Sequence, residues 1–130
     1  MRISQITIFV NETEVTKMKI RKLKDILPIQ AEACHNGEGV LLCRSLLDGF
    51  DSQNFRFMHS DELPAGVSIG KHLHDRNEEV YFLVSGKGIL TYDDVEYEML
   101  AGDISLCKIG HSHAFKATEN CVLIVVGGVF

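Results

Sequence analysis

From about residue 40 onward, apolar residues come in short runs broken by turn formers, the rhythm of an all-β sandwich or barrel. The pattern predicts strands over 40–47, 55–60, 66–74, 79–85, 88–92, 95–99, 104–108, 112–117 and 121–126. Gly49, Pro64, Gly66, Gly86, Gly102 and Gly110 punctuate these runs, and Asp93 with Asp94 reads as a two-residue hairpin turn. Residues 122–126 are apolar at every position, which predicts a strand buried on both faces, in the core or at a subunit contact. The first forty residues differ. Residues 3–10 are rich in β-formers and predict an extra strand, whereas 15–27 have a partial helical spacing that Pro28 ends, as expected of a short helix or an irregular segment. The organisation implied is an N-terminal extension over 1–39 packed on a β-barrel over 40–130.

Composition narrows the functional classes. A chain of 130 residues is long enough to close one core without disulfides. Its formal charge of -5 argues against a nucleic-acid partner, whose affinity rests on clustered Lys and Arg. The one basic cluster, over residues 17–24, is interleaved with Met18, Ile20 and Leu23 and reads as a solvated face. Cys34, Cys43, Cys107 and Cys121 form no C-x-x-C pair; they read as small buried hydrophobes in a reducing, cytoplasmic setting. No run is long enough to span a bilayer, and residues 1–10 lack the small-residue cleavage site of a signal peptide.

The chemistry lies in two H-x-H pairs, His72 with His74 and His111 with His113. Residues two apart on a strand share a face, so His72 and His74 can aim at one point inside a barrel. Glu79 opens the next strand across a short loop and can face them, and His113 opens a later strand after another turn. A lone H-x-H pair is more often a hydrogen-bonded strand feature. Imidazoles with one carboxylate, however, suit Fe, Mn, Zn, Ni, Co or Cu, and four such ligands leave positions open on a metal that prefers six.

At these residues the sequence resembles the cupin superfamily. Its first motif, G-x5-H-x-H-x(3,4)-E-x6-G, is matched at every fixed position by Gly66, His72, His74, Glu79 and Gly86. The second, G-x5-P-x-G-x2-H-x3-N, is matched by Gly102, Gly110 and His113, while Lys108 replaces the Pro and Ala117 the Asn. The resemblance, which covers residues 55–126, implies a double-stranded β-helix, or jelly-roll barrel, and one divalent transition metal held by His72, His74, Glu79 and His113. The two departures fall on positions that are not ligands.

Alternation from Glu79 turns Glu78 outward and brings Tyr81 and Leu83 to the interior wall, with Phe115 after His113. The Tyr81 hydroxyl is the candidate for proton transfer, or it satisfies a nearby carbonyl. His111 reads as an exposed or supporting histidine, His35 and His59 as structural, and Lys71 and Arg76 as outward charges. A divalent ion with one carboxylate keeps a net positive charge in a low-dielectric cavity, so it attracts small oxygen-rich or anionic ligands. The resemblance implies a metalloenzyme of oxygenase, isomerase or lyase type, with a non-catalytic ligand-binding or sensing module as the alternative. It also implies a homodimer, in which residues 3–10 can add a strand to a partner; Met18 resembles a natural start for such a barrel.

Overall fold

The computed structural model describes residues 20–128. The extra strand expected over 3–10 and the start at Met18 lie outside the described residues. Of the helical pattern over 15–27, the described part holds one 3-10 turn, Leu23–Asp25.

Ten strands follow among the described residues: β1 (Ile29–Glu32), β2 (Val40–Leu47), β3 (Phe55–Leu63), β4 (Ser68–His74), β5 (Glu79–Ser85), β6 (Lys87–Tyr92), β7 (Val95–Leu100), β8 (Ile104–Cys107), β9 (His111–Ala117) and β10 (Cys121–Gly128). Nine of them match the predicted runs to within a few residues. The exception is β1, which follows Pro28 and pairs antiparallel with β2, Ile29 lying opposite Cys43. Only Ala31 is buried on it, and its alternation of Ile29 and Ala31 with Gln30 and Glu32 is too short to mark a strand in the sequence.

The strands form two antiparallel sheets, one of six in the order β1-β2-β3-β10-β5-β8 and one of four in the order β4-β9-β6-β7. This is the jelly-roll arrangement, and the core lies between the sheets. Leu41, Leu63, Tyr81, Leu83 and Leu123 come from the six-stranded sheet, and Ile69, Leu90, Phe115 and Ala117 from the other. The hairpin between β6 and β7 turns at Asp93 and Asp94, both at positive φ (48 and 67), as a two-residue turn of that twist requires.

One expectation is corrected. Residues 122–126 are not buried on both faces: Leu123 and Val125 are buried in the core, whereas Val122, Ile124 and Val126 on the opposite face are only half-buried. Strand β10 sits between β3 and β5, and every outward side chain on it is apolar. A continuous apolar run therefore marks a central strand with a lightly covered outer face.

The register of β4 on β9 decides where the histidines point. Ile69 lies opposite Phe115 and His72 opposite His113, so three steps on β4 match two on β9, a β-bulge at Gly70 and Lys71. Without the bulge, strict alternation from the buried Ile69 would turn Lys71 and Leu73 inward. With it, Lys71 and Leu73 are exposed, and His72 and His74 face the core side. Gly70 is needed here: a Cβ would lie 2.1 Å from the His35 carbonyl oxygen, because the short 3-10 turn Cys34–Asn36 packs its backbone directly on β4.

Candidate metal centre

Three elements bring the four predicted residues together. Strand β4 supplies His72 and His74, β9 supplies His113 opposite His72, and β5 supplies Glu79 from the other sheet. His74, Glu79 and His113 are buried, and the His72 side chain is 12% exposed. His113 lies at the third residue of β9 rather than at its start.

Outer hydrogen bonds orient two of the rings. His72 Nδ1 is 2.8 Å from the Gly70 carbonyl oxygen, which can only accept, so the proton sits on Nδ1 and the Nε2 lone pair faces the interior. His74 Nδ1 donates in the same way to Asn77 Oδ1 at 3.2 Å. The third ring is fixed by packing. Tyr81 stacks on His113 with centroids 4.2 Å apart and planes 16° from parallel. The buried His113 Nδ1 has no partner among the described residues.

The inward atoms converge. His113 Nε2 is 2.9 Å from His72 Nε2, 3.0 Å from His74 Nε2 and 3.0 Å from Glu79 Oε1. His72 Nε2 and His74 Nε2 lie 3.6 and 3.5 Å from the same Glu79 oxygen. Neutral imidazoles cannot satisfy one another this way, since two lone pairs at such distances repel unless a proton or cation sits between them. Ligands bonded at about 2.1 Å to one ion lie roughly 3.0 to 3.4 Å apart, depending on the angle between them. The donor set and its spacing therefore fit a divalent transition metal, and the protein fixes these ligands from two sheets at once.

Electrostatics support the same site. Burial works against a charged Glu79, yet hydrogen bonds with His113, His72 and His74 hold its carboxyl well below the usual carboxylate range. For His74 burial favours the neutral ring, but the hydrogen bond to Glu79 prevails and raises its pKa. His113 shifts the other way, since burial outweighs the pull of Glu79 and lowers it. Glu79 is thus held in its anionic form, the form that a cation needs.

The other sequence candidates take distinct places. Tyr81 is fully buried, and burial pushes its phenol well above the ordinary range; its ring, facing His113, is the part that meets the site. Leu83, on the six-stranded sheet, and Phe115, on the four-stranded one, are both buried in the interior. His111 stacks on Tyr92 and pairs with Asp93 instead of joining the cluster. Lys71 is exposed and reaches Asp94 at 2.8 Å, while Arg76 and Glu78 face outward. Cys107 lies opposite Glu79 on β8 and donates its thiol toward the His111 carbonyl at 3.5 Å, burial raising it to about 11.

Two contributors escaped the sequence reading. His35 adopts φ 50 and stacks on the outer face of His72 with centroids 3.8 Å apart. Asn77 holds His74 from the loop before β5. Asn77 lies three residues after His74, and that short spacing was a usable signal. His35 is brought in by a left-handed turn that no periodicity announces.

Comparison with known proteins agrees with this fold. A family model described as the cupin domain matches residues 60–127. A Thermotoga maritima protein named oxalate-binding protein is 29% identical over 108 residues, covering 82% of this chain and 88% of its own length. A crystal structure from Thermotoga maritima, described as a predicted oxalate decarboxylase, superposes with a TM-score of 0.83 at 23% identity, over 86% of this chain and all of that one. Ectoine synthase from P. lautus superposes with a TM-score of 0.72 at 16% identity, over 86% of this chain and 78% of its own. With more than half of its residues matched by that model and its barrel shared with these structures, the chain belongs to the cupin family.

Proposed function

We propose that this cupin holds one divalent transition metal through His72, His74, Glu79 and His113 and acts on a small oxygen-rich anion of the oxalate class. The observation that carries the reading is the convergence of three Nε2 atoms and one carboxylate oxygen: His113 Nε2 lies within 3.0 Å of the other three, His72 and His74 Nε2 lie within 3.6 Å of Glu79 Oε1, and the Nδ1 protons of His72 and His74 are directed to acceptors behind their rings. Three neutral imidazoles and one carboxylate leave a bound divalent ion with one net positive charge. Such an ion supplies a Lewis-acid anchor with positions open for a chelating pair of oxygens. The residues around it do the rest. Glu79 stays ionised, Gly70 and Asn77 keep the rings aimed, and Leu83 and Phe115 give an apolar wall that strengthens the attraction for an anion. The Tyr81 ring holds His113, and its hydroxyl, kept protonated by burial, is the donor available on that wall.

The activity in this reading is metalloenzyme chemistry of oxygenase, isomerase or lyase type. The second reading, ligand binding without turnover, is favoured by the name of the Thermotoga maritima oxalate-binding protein. Calorimetry of the metal-loaded chain with oxalate separates the possibilities when paired with assays for oxygen uptake and carbon dioxide release. Metal-dependent oxalate binding with either gas signal supports the enzyme, and binding without one supports the binding module. Oxalate binding that is equally tight after chelation contradicts both.

The reading includes a homodimer in a reducing compartment. Four buried free thiols suit such a compartment. No helix among the described residues is long and apolar enough to cross a membrane. The outer face of β5 and β8 exposes Phe82, Val84, Ile104 and Leu106, next to half-buried Ile124 on β10, an apolar patch of the kind that pairs subunits. Light scattering should give twice the chain mass, and Ile104→Asp should halve it; a monomeric wild type overturns this part.

A further inference from the structure

A second group of ligating side chains lies on the inner face of the six-stranded sheet, across β10 from Glu79. Cys43 on β2 and Asp61 on β3 are direct cross-strand partners, and His59 precedes Asp61 by two residues on the same face. All three are buried: Cys43 is 0% exposed, Asp61 2% and His59 7%. One ligand atom from each lies within 4.8 Å of the other two. The register separates this group from the first: His59 is aligned with Val125 and then Tyr81, and Asp61 with Leu123, so apolar residues of β10 stand between it and β5.

We infer that Cys43, His59 and Asp61 form a second metal site, selective for a borderline-soft divalent ion such as zinc. Two observations beyond proximity point to a ligand. Asp61 Oδ1 is buried without a hydrogen-bond partner among the described residues, a costly condition for a carboxylate oxygen that a cation would relieve. The imidazole of His59 is neutral, burial lowering it to about 4, and its ring is steadied by Phe57, whose centroid is 4.8 Å away. The donor chemistry differs from the first site in one decisive respect. A thiol joins the set, and on metal binding it gives up its proton, which burial otherwise holds firmly on sulfur. Thiolate, imidazole and carboxylate together suit zinc or cobalt over manganese or magnesium. Three protein ligands leave a fourth tetrahedral position for water or a small anion.

Cobalt titration of the chelator-treated, reduced full-length chain tests this, because a thiolate bound to Co2+ gives an intense near-ultraviolet charge-transfer band that an all-histidine and carboxylate site does not. The band should rise to one thiolate-bound Co2+ per chain. It should vanish in Cys43→Ser and weaken at least ten-fold in apparent affinity in Asp61→Asn, which keeps the side-chain shape if the cysteine variant fails to fold. It should persist in His74→Ala, in Cys107→Ser and in Cys34→Ser. Absence of the band in the folded wild type overturns the site. A band that follows Cys107 or Cys34 overturns the assignment, and one lost with His74 assigns the thiolate to the first centre. Failure here leaves manganese binding at the histidine cluster untouched, so the two readings stand or fall separately.

Discussion

The two polar clusters inside this barrel are built from similar residues but are supported differently. Around Glu79, three imidazoles face a single carboxylate oxygen, and two of them are aimed by acceptors placed behind the ring, Gly70 and Asn77. Around Asp61, one thiol faces the carboxyl and one oxygen is left without a partner. The consequence is opposite charge behaviour in the same interior. Hydrogen bonds overcome the burial cost at Glu79 and keep it ionised, whereas burial dominates at Asp61 and pushes it up to about 7, aided by the negative charge of Glu79 and opposed by the Cys43 thiol. A buried carboxylate is therefore ready to hold an ion when donors already surround it, and needs the ion itself when they do not.

That contrast breaks most severely if the donors around Glu79 do no such work. Replacing Glu79 by Gln removes the only anion of the first site, and manganese affinity should fall by two to three orders of magnitude, about 3–4 kcal/mol. Its neighbour Glu78 faces outward, so Glu78→Gln should leave that affinity unchanged in the same titration. Equal losses at both positions would mean that the register of β5 is misread.

The charge of Asp61 gives the next largest effect, measured as thermal stability against pH in the chelated protein. Its folded pKa of about 7 lies above the unfolded value near 3.9, so the native state keeps a proton that the unfolded chain has released between these limits. The stability Asp61 contributes is full below about pH 4 and is lost as pH rises to about 7. Asp61→Asn cannot lose it. The variant should gain on the wild type across that window, by about 2–4 kcal/mol at the top, and then hold a constant lead. A gap that stays flat from pH 4 to 8 would show that Asp61 is not protonated in the native state.

A smaller effect is expected at the outer support of the first site. Asn77→Ala frees the Nδ1 end of His74 without removing a ligand, so metal affinity should drop about ten-fold while the thermal midpoint of the chelated protein changes little. No change in affinity would make the Asn77 contact incidental.

How much of this was legible in the sequence follows from which interactions are local. The nine runs from residue 40 carry their own alternation and turns, and His72, His74 and Glu79 lie within eight residues on a single motif. His113 was legible through its glycine turn, although its place as the third residue of β9 was not. What escaped depends on register or on backbone conformation with no periodic signature. The bulge at Gly70 rephases β4, the left-handed turn brings His35 onto His72, and the cross-strand pairing of β2 with β3 sets Cys43 against Asp61. The sequence reading assigned Cys43 and His59 to structural roles one at a time, because residues sixteen apart show nothing of a shared wall.

The most direct test of the histidine and glutamate centre is a manganese titration of the chelator-treated full-length chain, following free Mn2+ by electron paramagnetic resonance. Manganese favours nitrogen and oxygen ligands over a thiol, so the titration should report this centre alone. The account predicts one tightly bound Mn2+ per chain in the wild type and none at the same concentrations in a folded His74→Ala variant. No tight binding in the wild type, or binding that His74→Ala leaves intact, would contradict it.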